Sequence, residues 1–234
     1  MMRVLIVIPA YNEAQNLERV VDSLIACCPQ FDYVIVNDGS ADGTKELCEK
    51  KHYHVINLPV NLGLTGAVRT GMKYAYQKKY DMAIQFDADG QHLPQYIAPM
   101  VQHMKESRSD ILIASRYVGG KMPPRMRTIG AILISSAIRV TTGVRITDPT
   151  SGMRLYSRRI ISRFVTDTSL SPEPDTLAYL IRNGAKVSEM KVHMEDRAAG
   201  QSYLTPVNAS RYMIHELMGI LVFQWFRGSR EVLK

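Results

Sequence analysis

Short apolar runs alternate with amphipathic stretches five times along the first half of this 234-residue chain. The apolar runs cover residues 3–9, 33–36, 55–58, 82–84 and 111–114. Each run has the length of a buried strand, and the stretches between runs carry apolar residues at helical spacing. This alternation predicts an α/β fold, a mostly parallel sheet flanked by helices with right-handed crossovers. Asn12 is expected to cap the helix after the first strand.

Candidate ligand-binding residues stand where the predicted strands end. They are Pro9, Tyr11 and Glu13 after the first strand, Asp38 after the second, Asp87 and Asp89 after the fourth, and Arg116 after the fifth. Ligands bind outside the carboxyl ends of such strands, so we expect one site there. Neither G-x-G-x-x-G after the first strand nor G-x-x-x-x-G-K-S/T occurs, which disfavours a dinucleotide-binding Rossmann enzyme and a P-loop NTPase. Carboxylates without a phosphate-cradling loop indicate that phosphate is held through a metal.

Asp87 and Asp89 lie one residue apart in the segment DADGQH, residues 87–92. On an extended chain the two carboxylates share one side, and their neighbours in sequence supply no cation. A hard divalent ion such as Mg²⁺ or Mn²⁺ would stabilise the pair. A plain strand-end turn would explain the same residues, since Asp and Gly are common in turns.

The net charge of +7 is concentrated in one block of the sequence. Residues 116–163 contain ten Lys and Arg and a single acid, Asp148. A surface of this composition attracts phosphate on a nucleotide, a lipid or a nucleic acid, although a merely soluble basic face has the same composition. The block has few aromatic residues between its basic ones, so we expect no nucleic-acid partner.

Cysteine usage and the absence of targeting segments point to the cytoplasm. Three cysteines do not make a disulfide framework, the N-terminus does not resemble a signal peptide, and no apolar run reaches the length of a membrane span. Residues 130–138 and 211–226 are apolar segments fringed by arginine and aromatic residues, which suits the surface of an anionic membrane. We expect a peripheral protein at the inner face of the cell membrane. Packing against the sheet or in a homo-oligomer would suit these segments equally well.

Seven short segments carry a pattern that extends over residues 3–205. They are PAYNE (9–13), NDGSADGT (37–44), NLG (61–63), DADGQH (87–92), SRY (115–117), DPTSGMR (148–154) and EMKVHMEDRAAGQS (189–202). In this order they resemble family 2 glycosyltransferases, and most of all the branch that contains dolichol-phosphate mannose synthase and the bacterial polyprenyl-phosphate glycosyltransferases. The resemblance implies a Rossmann-like GT-A domain in residues 1–205. The apolar and aromatic residues of the remaining stretch predict a C-terminal amphipathic helical segment in residues 206–234. Asn37 and Gly90 depart from the family pattern, which often has Asp and Leu there.

The resemblance also implies a nucleotide-sugar donor, with a UDP-sugar favoured. The nucleobase and ribose pocket would be lined by Pro9, Tyr11, Glu13, Val36 and Asp38. The D-x-D site would consist of Asp87, Ala88, Asp89 and Gln91, in which Asp87, Asp89 and Gln91 hold Mg²⁺ or Mn²⁺ on the donor diphosphate. Arg197 would close over the diphosphate with Gly200 as a hinge. Arg116 and Arg127 would bind an acceptor phosphate.

The acceptor decides whether this inverting family needs a protein base. A polyprenyl phosphate is already an anion near neutral pH, whereas a sugar hydroxyl must lose a proton to a carboxylate. The candidate bases are Asp148, Glu173 and Asp175, which could instead be a charge partner of arginines or acids at a helix N-terminus. Asp89 and Arg116 complete the predicted catalytic set.

We therefore predict metal-dependent transfer to a polyprenyl-phosphate-type lipid acceptor. Transfer to a sugar hydroxyl of a growing surface polysaccharide or lipid-linked glycan is the alternative. A nucleotide-binding protein without transfer activity is a more remote one, because Asp87 and Asp89 are both present.

Overall fold

A computed structural model describes residues 2–120, 126–195 and 206–227, of which 126, 127 and 206–210 are described by their backbone alone. These residues form one sheet and eight α-helices. The strands are β1 (Val4–Ala10), β2 (Asp32–Asn37), β3 (Val55–Asn57), β4 (Met82–Gln85), β5 (Ile111–Ser115), β6 (Arg154–Ser157) and β7 (Val187–Lys191). The helices are α1 (Ala14–Cys27), α2 (Thr44–Lys50), α3 (Gly63–Gln77), α4 (Ile97–Ser107), α5 (Met126–Thr142), α6 (Arg158–Thr166), α7 (Pro174–Arg182) and α8 (Pro206–Leu221).

The sheet has the strand order β3-β2-β1-β4-β6-β5-β7 and is mostly parallel. Its exception is β6, which runs antiparallel between β4 and β5. The five predicted strands and the α/β class are confirmed, whereas β6 and β7 were not predicted. Both strands lack a continuous apolar run, because each mixes polar and apolar residues over four or five positions.

The two faces of the sheet bury separate cores. Along β1, Val4, Ile6 and Ile8 pack against α1, α2 and α4, whereas Leu5 and Val7 pack on the opposite face, which α3 and α5–α8 cover. This burial on both faces explains why β1 is apolar along its whole length.

Two close packing contacts fix the helices that matter for the site. A side chain at Gly71 would place its Cβ 2.1 Å from Cγ1 of Val7, so α3 lies against β1 only because this residue is glycine. Helix α8 packs on α5 and α7, and its Ile220 is buried in the same core. None of the helices in the described part of the chain combines the length and apolar character needed to cross a bilayer.

Candidate active site

A cleft of about 400 Å³ opens at the carboxyl ends of β1, β2 and β4. It is lined by Pro9, Ala10, Tyr11, Glu13, Asp38, Asn61, Gly63, Leu64, Ala67, Asp87, Ala88 and Asp89. The structure thus brings together seven of the residues expected to bind a donor, and we call this space the donor cleft. Val36 is an exception, because the alternation of β2 turns its fully buried side chain into the core, where it packs with Val7.

Hydrogen bonds between the loops after β1 and β2 fix one wall of the donor cleft. The N–H of Asn12 donates to Oγ of Ser40 at 2.9 Å, and the N–H of Ala41 donates to Oδ1 of Asn12 at 2.9 Å. The N–H of Ala14, at the start of α1, donates to Oδ2 of Asp42 at 3.0 Å. The prediction that Asn12 caps α1 is therefore wrong, since Asp42 of the neighbouring loop does so and Asn12 bridges the loops.

Asp38 is held at the base of the cleft by the turn before α3. Its Oδ1 accepts the N–H of Leu62 at 2.8 Å. Gly39 has a φ of +66°, and a Cβ there would lie 2.7 Å from N of Asn61, so only glycine allows the two turns to approach. One carboxylate oxygen of Asp38 is thus used for positioning, and the other has no hydrogen-bond partner among the described residues.

The Asp87–Asp89 turn is held by its neighbours in sequence. Nε2 of Gln85 donates to Oδ1 of Asp87 at 3.0 Å, and the N–H of Asp87 donates to Nδ1 of His92 at 2.9 Å. Nδ1 of His92 is thus the acceptor, and Nε2 of the same ring lies 3.7 Å from Oδ2 of Asp87. The N–H of Gln91 donates to Oδ1 of Asp89 at 3.0 Å across Gly90, whose φ is +82°.

The oxygen-rich turn fits a hard divalent cation. Neither Asp87 nor Asp89 forms an ion pair with a lysine or arginine in the described residues, although Asp87 retains about a third of its side-chain exposure. No group of three His, Cys, Asp or Glu side chains converges within the described ranges, so a cation here needs further oxygens. Room for them is preserved by Gly152, because a Cβ there would lie 2.5 Å from Oδ2 of Asp87.

Arg116 and Asp148 form a closed ion pair beyond the donor cleft. Nε and Nη2 of Arg116 each donate to one oxygen of Asp148 at 2.8 Å, and the N–H of Arg116 donates to Oδ2 at 3.0 Å. The Asp148 side chain is 0% exposed and that of Arg116 is 35% exposed. These hydrogen bonds raise the pKa of Arg116 above its usual value. Asp148 thus takes the charge-partner arrangement that the sequence had left open.

The loop from 148 to 153 joins this ion pair to the Asp87–Asp89 turn. It leads into β6, whose first residue, Arg154, pairs with Gln85 of β4 on one side and with Ile113 of β5 on the other. The Arg154 side chain is buried and donates to the carbonyl oxygens of Ser151 and Pro149 at 2.9 and 2.6 Å. Arg154, the first residue of β6, thus holds the loop that precedes it in place.

Glu189 of β7 anchors the start of the same loop. Its carboxylate accepts the N–H of Thr147 at 2.8 Å, the hydroxyl of Thr147 at 2.9 Å and the N–H of Asp148 at 2.9 Å. The roles of Glu189 and Arg154 were missed from the sequence, although both residues lie in segments that resemble the family.

A cluster of acids, in which Asp175 and Glu216 are buried and Glu173 is partly buried, links the start of α7 to α8. The hydroxyl of Tyr212 donates to Glu173 at 2.7 Å, the N–H of Asp175 donates to Glu216 at 3.0 Å, and Arg227 pairs with Asp175 at 2.5 Å. Burial and the charges of Asp175 and Glu173 raise the pKa of Glu216 from 4.5 to about 7. Tyr212 and Glu216 were missed from the sequence because they stand in a segment that was interpreted as an apolar helix.

Three predicted residues lie wholly or partly outside the described atoms. Arg127 belongs to α5, but its side chain lies outside the described atoms, and Arg197 and Gly200 lie outside the described residues. The chain is described up to Glu195, whose N–H donates to the carbonyl oxygen of Gln91 at 3.0 Å. The segment that leads to Arg197 therefore reaches the Asp87–Asp89 turn.

The basic block does not form one surface. Arg154 is buried, Arg158 donates to the carbonyl oxygen of Tyr80 at 2.8 Å, and Arg159 pairs with Asp110 at 3.0 Å. These arginines stabilise β6 and α6 internally. The expectation of a single phosphate-attracting surface from 116 to 163 is thus too broad.

Comparisons with known proteins agree with this architecture. The model of the family described as "Glycosyl transferase family 2" matches residues 5–164. Polyprenol monophosphomannose synthase of Mycolicibacterium smegmatis is 29% identical over 90% of this chain and 84% of its own length. Undecaprenyl-phosphate mannosyltransferase of Micrococcus luteus is 30% identical over 87% of this chain and 88% of its own length.

Solved structures support the fold as well. Glucosyl-3-phosphoglycerate synthase from Mycobacterium tuberculosis in complex with phosphoglyceric acid superimposes with a TM-score of 0.67 and 18% identity, covering 94% of this chain and 80% of that one. The same enzyme in complex with Mg²⁺ and uridine diphosphate has a TM-score of 0.66 at 18% identity, covering 94% of this chain and 79% of that one. The chain therefore belongs to glycosyl transferase family 2 and has the GT-A fold, as its sequence motifs predicted.

Proposed function

We propose that this enzyme transfers a sugar from a nucleoside-diphosphate sugar, with a UDP-sugar favoured, to a polyprenyl-phosphate-type lipid, with inversion at the anomeric carbon. The observation that carries the proposal is the donor cleft. It joins Asp38 to Asp87 and Asp89, two carboxylates without a lysine or arginine partner among the described residues. The names of the two bacterial relatives, which act on polyprenol and undecaprenyl phosphate, support the choice of acceptor.

In the donor half, Asp38 binds the nucleobase and the Asp87–Asp89 turn faces the diphosphate. The free oxygen of Asp38 accepts a base N–H, while the bond from Leu62 keeps the carboxylate in place. Asp87, Asp89 and Gln91 would hold a Mg²⁺ or Mn²⁺ ion, and the ion would supply Lewis-acid stabilisation of the charge on the leaving diphosphate. The related fold that was solved with Mg²⁺ and uridine diphosphate supports this cofactor.

In the acceptor half, Arg116 binds the phosphate of the lipid together with Arg127. Asp148 is fully buried and holds one edge of the Arg116 guanidinium through Nε and Nη2, so it acts as a positioning residue for that cation. A phosphate oxygen attacks as an anion and has no proton to lose. The reaction therefore needs no protein base, and a buried Asp148 is compatible with it.

A specific observation favours transfer to a sugar hydroxyl as the second candidate. Glu173 is only partly buried and accepts one hydrogen bond, from Tyr212, so it could act as a general base. In that case the acceptor is a glycan rather than a lipid phosphate.

The chain works at the cytoplasmic face of the membrane in this proposal. Exposed apolar residues of α5, α8 and the turn after α8 form what we call the apolar face. They are Ile129, Ile132, Leu133, Val140, Ile214, Met218, Leu221, Val222, Phe223, Trp225 and Phe226. Phe226 is 82% exposed and Trp225 57% exposed, and aromatic side chains on such a face suit the interface of a bilayer. A second copy of the chain could cover the same face.

Transfer assays test the proposal directly. UDP-, GDP- and dTDP-sugars are supplied with Mg²⁺ or Mn²⁺ and with either polyprenyl phosphate in detergent or a soluble sugar acceptor. We expect a glycosylated lipid and release of nucleoside diphosphate, both abolished by a chelator. Transfer to sugar hydroxyls alone would establish the second candidate, and donor binding without turnover would contradict both.

A further inference from the structure

A second cleft, of about 300 Å³, lies between α5 and the chain that follows it. It is lined by Ile132, Ser135, Ser136, Arg139, Arg145 and Thr147, none of which lines the donor cleft. We call this space the basic cleft, since it contains two arginines and no acidic lining residue. It is also separate from Arg116, which Asp148 neutralises.

The fold places the two arginines on the same side. Helix α5 ends at Thr142, and Gly143, with a φ of +76°, reverses the chain so that its N–H donates to the carbonyl oxygen of Arg139 at 2.8 Å. The returning chain buries Ile146 in the core and leaves Arg145 exposed. Arg145 therefore faces the flank of α5 that carries Arg139.

The charges of the basic cleft are not neutralised by the described residues. Arg139 and Arg145 have no carboxylate partner there, in contrast to Arg116 and Arg159. The negative end of the α5 dipole opposes an anion, but its strength is about half a charge against two full ones. Two guanidinium groups at one cleft offer paired N–H donors to phosphate oxygens.

The hydroxyl hydrogens of the residues that line the cleft are used within the protein. Ser135 donates its hydroxyl hydrogen to the carbonyl oxygen of Ile146. Ser136 donates its hydroxyl hydrogen to the carbonyl oxygen of Ile132 at 2.8 Å, and Thr147 donates to Glu189 at 2.9 Å. The guanidinium groups are thus the donors available to a ligand. An anion is the ligand that matches them.

The surroundings of the basic cleft indicate where that anion comes from. Ile132 belongs both to the cleft and to the apolar face, and Leu133 and Val140 are exposed beside it on α5. A phosphate that is attached to acyl chains would satisfy the arginines and the apolar residues together. We propose that the basic cleft binds the phosphate group of an anionic phospholipid when the apolar face lies on the bilayer. This inference rests on the membrane location in the proposed function.

Vesicle flotation of the full chain tests the site. Wild type is compared on phosphatidylcholine vesicles and on vesicles that also contain phosphatidylglycerol, and we expect preference for the second. Arg139→Ala with Arg145→Ala should lower the partition coefficient on phosphatidylglycerol vesicles about 30-fold, from about 1 kcal/mol for each cation at the surface. The matched control is Lys50→Ala with Lys105→Ala, exposed on α2 and α4 at the opposite face of the sheet. It removes the same charge and should change partitioning less than about twofold.

A pair of charge-conserving substitutions distinguishes a specific phosphate site from general electrostatic attraction to the anionic vesicle surface. Arg139→Lys with Arg145→Lys keeps both charges but loses the guanidinium fork, so we expect partitioning to fall about fivefold. Thermal unfolding midpoints within the range of wild type show that each variant is folded. The inference is overturned by lack of preference for phosphatidylglycerol, by an equal loss in the lysine control, or by lysine replacements that bind like wild type.

Two further measurements keep the source of the phosphate and the proposed function apart. Gel-shift binding of a nucleic acid that depends on Arg139 and Arg145 more strongly than vesicle binding does would overturn the lipid assignment. Wild-type transfer to polyprenyl phosphate in detergent is measured independently. If it succeeds while the vesicle preference is absent, the basic cleft alone is refuted, whereas failed transfer with an intact vesicle preference refutes only the proposed reaction.

Discussion

The donor cleft and the Arg116–Asp148 pair lie at the same edge of the sheet, but only the second has its charged side chains matched by a partner of opposite charge. Asp87 and Asp89 are fixed by hydrogen bonds from the backbone and from Gln85, and neither forms an ion pair with a lysine or arginine of the described residues. Arg116 is instead matched by a fully buried Asp148. The carboxylates of the first region can therefore bind a cation from outside the protein. In the second region the charges of Arg116 and Asp148 cancel, and Asp148 holds the guanidinium in position.

Asp89→Ala should have the largest effect. Asp89 is one of the two carboxylates proposed to bind the metal ion, so its loss should remove the Lewis-acid stabilisation that the ion supplies. That stabilisation is worth several kcal/mol, which corresponds to a loss of at least ~10³-fold in turnover. Release of nucleoside diphosphate in the presence of Mn²⁺ or Mg²⁺ measures it. Glu46→Gln is the matched control, since Glu46 is an exposed carboxylate on α2. Unchanged metal-dependent turnover in Asp89→Ala would contradict the proposal that the donor cleft, unlike the Arg116–Asp148 pair, binds an external cation.

Asp148→Asn tests whether the second region is a buried pair. Removing one partner leaves Arg116 without its carboxylate, which should lower the free energy of unfolding by about 2–3 kcal/mol, after a discount for the exposed part of Arg116. Chemical denaturation of Asp148→Asn, Arg116→Gln and the double variant gives the coupling. We expect the double variant to lose less free energy of unfolding than the two single variants lose together. Additive losses would mean that Asp148 has another role.

Glu216→Gln examines the acid cluster between α7 and α8 through its pH dependence. The folded-state pKa of Glu216, raised to about 7, exceeds its ordinary 4.5, so the folded protein binds more protons between these values and its stability falls as pH rises through them. Glu173, Asp175 and His215 are the titratable neighbours, and Arg227 neutralises Asp175. Relative to wild type, the variant should gain about 2 kcal/mol at pH 8 and nothing below pH 4.5. Denaturation at both pH values measures the difference, and an equal change at both would exclude titration of Glu216.

Most of the fold could be predicted because its strands are apolar on both faces. Runs such as 3–9 and 111–114 have no polar residue in their interior and could only be buried strands. β6 could not be found in this way, because Arg154 and Ser157 frame only two apolar residues and the strand depends on its neighbours β4 and β5. The position of β6 between β4 and β5 depends on tertiary contacts, and the periodicity of a short segment does not predict such contacts.

The candidate site was predictable to the extent that it stands at strand ends. Asp38, Asp87 and Asp89 follow from that rule and from the family motifs, and they meet in the donor cleft. Val36 is not among the lining residues, because its side chain is buried in the core and the motif names a position without saying which way its side chain points. Glu216 and Tyr212 were hidden in an apolar helix, since a polar residue there is recognised only when the acids opposite it in space are known.

His92→Phe should weaken cation binding at the Asp87–Asp89 turn. The Nδ1 atom accepts the N–H of Asp87 at 2.9 Å, and a residue that orients a metal ligand in this way is worth about tenfold in affinity. Phe keeps the ring contact with Phe86, whereas His92→Asn supplies an acceptor near Nδ1 and should remain within about threefold of wild type. Mn²⁺ titration followed by electron paramagnetic resonance, with uridine diphosphate present, compares them. Equal losses in both variants would indicate a packing role instead.

Glu173→Gln is expected to have the smallest effect, and for that reason it separates the two acceptors. A phosphate acceptor has no proton to surrender, and Gln still accepts the hydroxyl of Tyr212, so transfer to polyprenyl phosphate should change less than about threefold. A sugar hydroxyl acceptor would make the same change cost ~10²-fold or more, because the general base is lost. Tyr212→Phe removes the hydrogen bond but keeps the carboxylate, so it controls for altered packing between α7 and α8. A large loss in Glu173→Gln with Tyr212→Phe near wild type would move the reaction to a hydroxyl acceptor and make Glu173, rather than Arg116, the residue on which the acceptor half depends.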